Sequence, residues 1–144
     1  MAETAEGAAT MSGGCLCGAI RYRVSERLDR IIACHCTDCQ KASGAGASAN
    51  ALVPTEHFTL VQGTPRVFSK IVDSGNLLHR AFCADCGSPI YTRRDHVPEM
   101  TVLKVGSLDA PNDMKIAMNI WTRSTRPWMP MDPQAECFEM GRPS

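Results

Sequence analysis

Cys15-Leu16-Cys17-Gly18-Ala19-Ile20-Arg21-Tyr22-Arg23-Val24 sets two thiols ahead of a run in which Ile20, Tyr22 and Val24 alternate with Arg21 and Arg23. A side-chain period of two is that of a strand with one buried face. The cysteines fall on odd positions and the apolar residues on even ones, so the pleat must be interrupted near Gly18, which can take the backbone conformation a turn needs. Cys83-Ala84-Asp85-Cys86-Gly87 has the form of a zinc knuckle, two ligands across a tight turn and then a glycine that lets backbone donors face the sulfurs. The two pairs together supply four thiolates, and one ion held by them would tie the first strand to the middle of the sheet as a closed, structural site. Spacing leaves open an iron centre with the same four thiolates and the opposite pairing of the clusters.

Outward from these pairs the chain reads as mainly β. Arg30 to Ala33, Ala51 to Val53, Phe58 to Val61, Arg66 to Val72 and Asn76 to Phe82 are short strand patterns. They are divided by Pro54, by Gly63-Thr64-Pro65 and by Asp73-Ser74-Gly75, a rhythm of turns expected of an all-β domain. Glu99 to Val105 and Met114 to Trp121 continue it. At most one or two short helices fit. Thr37 with Gln40 resembles a capping box and Gly44 is a natural stop, which predicts a helix over Asp38 to Ser43. The segment after Thr122 has no period and reads as extended, pinned by Trp128 and Phe138.

The third cluster, Cys34-His35-Cys36-Thr37-Asp38-Cys39, packs three thiols into six residues. Cysteines at i and i+2 of a strand share a face, and a following turn can bring the third alongside. Three ligands leave a tetrahedral ion one vacant position, as working sites do. Cys34, Cys36 and Cys39 are therefore the candidate catalytic centre, and Cys39 near a helix start would favour thiolate. Gly44 to Ala49 is short on side-chain bulk, which suits either a substrate or tight packing. His35, alternating between two ligands, reads as a core or supporting group. His57, His79 and His96 lack metal spacing, and Cys137 stands outside every cluster.

The bulk numbers bound the partners. At 144 residues, with 15 basic and 15 acidic side chains, the chain fits one domain and has no net positive field to hold nucleic acid or an anionic membrane. No stretch reaches the roughly 18–20 apolar residues of a membrane helix. Met1 to Gly14 lacks the basic start and apolar run of a signal peptide. The expectation is a flexible tail over residues 1–12, one zinc-binding domain over 13–144, and a cytoplasmic, reducing setting in which eight cysteines serve as metal ligands or reactive thiols.

Gly14-Cys15-Leu16-Cys17-Gly18 with Tyr22, Cys34-His35-Cys36-Thr37-Asp38-Cys39, Phe82-Cys83-Ala84-Asp85-Cys86-Gly87, Gly106-Ser107-Leu108-Asp109, Ile120-Trp121 and Arg126-Pro127-Trp128 together resemble the glutathione-dependent formaldehyde-activating enzyme and centromere protein V family. The resemblance spans about residues 13 to 140. It implies a β-tent fold of short antiparallel strands, a structural zinc on Cys15, Cys17, Cys83 and Cys86, and a second, open zinc on Cys34, Cys36 and Cys39. It further implies a carbon–sulfur lyase-like activity that joins formaldehyde and glutathione into S-(hydroxymethyl)glutathione, or acts on another small thiol or carbonyl substrate. Where the family often carries a histidine before Ile-Trp, this chain has Asn119.

Arg94, Asn119 and Trp121 are the candidate substrate contacts, and Arg93, Arg123 and Arg126 are further guanidinium groups able to clamp carboxylates. The competing class is a non-catalytic zinc module that binds a partner through its sheet. Composition, with neither a basic excess nor a long apolar run, favours the enzyme.

Overall fold

A computed structural model describes residues 10–110 and 113–141. They form a mainly β protein with one α-helix and three single-turn 3₁₀ segments. Of the expected tail, residues 1–9 lie outside the described residues. Met11 and Ser12 already belong to strand β1 (Met11–Gly14), which is antiparallel to β2 (Arg21–Val24) with Met11 opposite Val24. Their backbone groups thus find partners in the ladder that a free tail would lack.

The described residues gather into two compact units, 10–28 with 52–110 and 29–51 with 113–141. In the first, β2 also pairs with β5 (Phe58–Gln62), giving the antiparallel order β1-β2-β5. A meander follows: β6 (Arg66–Ile71), β7 (Leu77–Phe82), β8 (Pro89–Arg94) and β9 (Met100–Lys104), each antiparallel to the next. The core is aliphatic and aromatic. Ile20, Tyr22 and Val24, the alternating residues of the opening stretch, are all buried, with Val53, Ile90 and Leu103. Phe58 packs against Tyr22, tilted, and Tyr91, edge to face, with ring centroids 5.2 and 5.1 Å away. Tyr22 also bonds Ser107 through its hydroxyl at 2.6 Å, which gives a buried phenol its partner.

The second unit holds β3 (Arg30–Cys34), helix α1 (Thr37–Ser43), the first half of β4 (Ser48–Pro54), β10 (Lys115–Ile120) and β11 (Glu136–Cys137). Its strand order is β11-β10-β3-β4. The expectation of antiparallel strands holds for β3 with β4, but β10 runs parallel to both β3 and β11. Parallel neighbours need a long crossover rather than a hairpin, and the 80 residues between β3 and β10 supply one.

Three further readings are corrected. Strand β8 was not expected: it opens on Pro89, which a strand tolerates at its first residue, and its Ile-Tyr pair does not alternate with polar residues. The helix is not capped by Thr37 with Gln40. The cap is Cys36, whose sulfur accepts from Cys39 N, and Gln40 is turned inward instead, while Gly44 at φ 73° ends the helix as expected. Nor does Trp128 pin the last segment, for it is 68% exposed. Backbone bonds do this, from Phe138 N to Asn119 O at 2.9 Å and from Trp121 N to Met140 O at 2.9 Å.

Candidate metal centres

The two cysteine pairs meet within the first unit. Cys15 follows β1 directly, and the turn after it closes through Gly18 N to Cys15 O at 3.2 Å, with Gly18 at φ 85°. The interruption of the pleat predicted from odd and even positions is this turn. The knuckle repeats the device: Gly87 N reaches Cys83 O at 2.8 Å, Asp85 N reaches the Cys83 sulfur at 3.4 Å, and Gly87 has φ 80°. The sulfur of Cys17 lies 3.6 Å from that of Cys15 and 3.7 Å from that of Cys83. The ligand atoms of Cys15, Cys17, Cys83 and Cys86 all lie within 4.8 Å of one another, and no disulfide joins them.

Four sulfurs at this spacing, with backbone N–H groups aimed at them, suit a soft ion such as zinc. Their electrostatics are uneven. Hydrogen bonds from the Ser88 hydroxyl, from Ser88 N and from Cys17 N hold the Cys86 thiol down at about 5. At Cys17 the Ala19 N–H lowers the value, but the neighbouring Cys15 sulfur, with some burial, drives it up to about 12. Cys86 is therefore ionised at neutral pH before any ion arrives, and a cation would offset the repulsion that opposes ionisation of Cys17.

The third cluster forms within the second unit. Cys34 ends β3, pairing with Ser48 of β4 and Ile120 of β10. Cys36 is the helix cap and Cys39 lies in the first turn of α1, so the cap hydrogen bond from Cys39 N to the Cys36 sulfur, 3.3 Å, is also what folds the third thiol onto the other two. The sulfurs of Cys34 and Cys36 are 3.5 Å apart, and the ligand atoms of all three lie within 4.8 Å of one another. Among the described residues no histidine or carboxylate joins the group. The Cys36 and Cys39 sulfurs, then burial, push the Cys34 thiol far up. The neighbouring sulfurs oppose ionisation of Cys34, which a cation would offset, and the donor set again suits zinc.

The surroundings differ in kind from the core of the first unit. His35, Gln40, Ser48, Asn50 and Asn119 are all buried polar side chains. His35 is fully enclosed, and its Nε2 lies 2.8 Å from Asn119 Oδ1, so the ring donates there and the pair cross-links β3 to β10. Asn119, a candidate substrate contact by sequence, is 2% exposed and holds His35 instead. Asn119→Ala leaves the imidazole N–H buried without an acceptor, and we expect a loss of about 1–3 kcal/mol in chemical denaturation.

Trp121, the residue after β10, is half-buried at φ 59°, a left-handed backbone that a bulky residue adopts only when its surroundings enforce it. Arg94 ends β8 in the first unit. Arg93 lies over the Tyr91 ring at 4.8 Å and donates to Thr101 Oγ1 at 3.2 Å, so it is a packing residue. The small residues after α1 serve partly for packing, since Met129 lies where a Cβ on Gly46 would fall. His79 is a sheet residue, as expected, bonded to Ser69 and Asp95 at 2.7 Å each.

Sequence reasoning took Gln40 for the partner of Thr37 in a capping box, whereas it is buried. The signal for Gln40 was its place directly after Cys39, which only its inward rotation makes meaningful.

Among solved structures, the chain is similar to a crystal structure of a Rhodobacter sphaeroides protein, with 23% identity over 71% of this chain and 91% of that one, at a TM-score of 0.56. At that identity the likeness speaks for the fold. A family model described as glutathione-dependent formaldehyde-activating enzyme matches residues 10–124. That span contains both cysteine groups, seven thiols divided four and three as the geometry divides them, and the chain belongs to the glutathione-dependent formaldehyde-activating enzyme family.

Proposed function

We propose that the chain is a metal-dependent enzyme of the carbon–sulfur lyase type, joining formaldehyde to glutathione as S-(hydroxymethyl)glutathione or joining another small carbonyl compound to a thiol. In this reading Cys15, Cys17, Cys83 and Cys86 hold a structural zinc, and Cys34, Cys36 and Cys39 hold the working one. The observation that carries it is the three-thiol group, short of a fourth protein ligand among the described residues and set among buried polar side chains. Packing alone does not call for such a group. A zinc ion bound there supplies a positive centre with a position for an incoming sulfur or carbonyl oxygen.

The residues of the chain do the rest. Cys36 and Cys39 are held by the helix cap, and Cys34 by the β3 ladder. His35, directly after β3, is bonded to Asn119 of β10. In the reaction the substrate's S–H bond breaks and a carbon–sulfur bond forms. The carbonyl π bond opens, and its oxygen ends as a hydroxyl carrying the proton.

The test is the rate of exchange between free and hydroxymethylated glutathione, followed by NMR exchange spectroscopy with the metal-loaded protein. Faster exchange, with one of two bound metals open to a chelator, is expected. No acceleration with any thiol, with two inert metals, sinks the reading in favour of a non-catalytic zinc module.

A further inference from the structure

A cavity of about 290 Å³ in the second unit is lined by Thr37, Gln40, Lys41, Ala45, Arg126 and Trp128. Thr37 and Gln40 each adjoin a thiol of the three-cysteine group in sequence, Thr37 following Cys36 and Gln40 following Cys39. No acidic side chain lines the cavity, and among the described residues neither Lys41 nor Arg126 has a carboxylate partner. Trp128, 68% exposed, offers an indole that nothing covers.

The cavity is also built rather than merely present. Gln40, 9% exposed, donates both amide hydrogens, to His35 O at 2.7 Å and to Ser124 O at 2.9 Å. With its donors spent, the amide can only turn its oxygen outward, and Oε1 accepts from Arg126 Nε at 2.7 Å. That bond fixes the guanidinium plane and leaves the two Nη nitrogens for something else. A guanidinium held by Nε, with a lysine also lining the cavity, is an arrangement for a planar anion, which the guanidinium binds through two parallel hydrogen bonds. Solvent exposure alone would not require a buried glutamine to hold the arginine.

We propose that this cavity is the anion subsite of the working centre, in which Arg126 and Lys41 take a carboxylate of the thiol substrate and Gln40 is the positioning residue for Arg126. The proposal rests on the reading of the three-thiol group given above and deepens it: the substrate is a carboxylate-bearing thiol, and a neutral thiol is discriminated against.

The test separates binding from chemistry. S-methylglutathione, which carries the carboxylates but no thiol to ligate a metal, is titrated into the metal-loaded protein while the Trp128 indole ¹H–¹⁵N signal is followed. Its diethyl ester and inorganic phosphate are titrated in parallel. The acid is expected to bind and the ester to bind far more weakly. Arg126→Gln should weaken the acid roughly 10- to 100-fold and leave the ester unchanged. Gln40→Leu should reduce the preference for acid over ester in the same way, with metal content and far-UV circular dichroism unchanged, which a merely structural role for Gln40 would not produce. Equal binding of acid and ester, or an Arg126→Gln variant with full affinity, overturns the proposal. So does a response to phosphate with none to S-methylglutathione. If the acid binds through Arg126 while exchange is not accelerated, the subsite stands and the reaction falls. If exchange is accelerated equally for acid and ester thiols, the reaction stands and the subsite falls.

Discussion

Cys83→Ser is expected to leave the protein without its fixed fold. Cys83 is 2% exposed at the start of the knuckle, and its sulfur is one of four drawn together from two segments 66 residues apart. A structural zinc in such a group contributes on the order of 10 kcal/mol or more of folding free energy. Whole domains are stable by only about 5–15 kcal/mol, so losing one ligand consumes most of the margin. The measurement is metal content with far-UV circular dichroism and thermal unfolding. Cys137→Ser is the control: Cys137 is exposed and outside both groups, and its replacement should change stability by less than about 0.5 kcal/mol and metal content not at all. A Cys83→Ser protein that melts cooperatively near the parent temperature would show that the β sheets, not the ion, hold the first unit.

Cys36→Ser is expected to do the converse, abolishing turnover while the fold persists. Metal content should fall from about two ions per chain to about one. Its sulfur accepts the cap hydrogen bond from Cys39 N, but a serine hydroxyl is a good helix cap in its own right, so α1 keeps its start. What is lost is the third thiolate. Metal assistance is worth several kcal/mol of transition-state stabilisation, so the rate should drop by about 10³-fold or more, at 1.36 kcal/mol per tenfold. NMR exchange between glutathione and its hydroxymethyl adduct reads the rate, and denaturation reads the fold. Full turnover in this variant would remove the three-thiol group from the reaction and leave it a second structural site.

The contrast between the two variants follows from where the thiols lie. In the first unit the four sulfurs come from separate turns, each closed by a glycine at positive φ, and besides them the turns are joined by the Leu16 N to Ser88 Oγ bond at 3.0 Å. In the second, Cys34 is already fixed between β4 and β10, and Cys36 and Cys39 by the helix they begin. Both features were legible in the chain. The odd-and-even mismatch before Gly18 announced the turn, and Gly44 announced the end of α1. The identity of the cap was misread because a thiol is a weak acceptor, and a threonine next to it looked the better candidate.

Beyond these local features the sequence was silent. The bonds around the three-thiol segment join residues 84 positions apart in His35 with Asn119 and 86 apart in Gln40 with Arg126. Neither partner belongs to a periodic pattern that would mark the pairing, and the parallel placement of β10 beside β3, which brings Asn119 to His35, follows from no hairpin or turn signal. By itself the sequence determined that seven thiols stand in three short clusters and that short strands carry them, because ligand spacing and the strand period are properties of neighbouring residues. Only the tertiary structure decided that Asn119 supports a histidine and that a buried glutamine aims Arg126 into a cavity, because those choices are made by burial and hydrogen-bond satisfaction once distant segments are packed together.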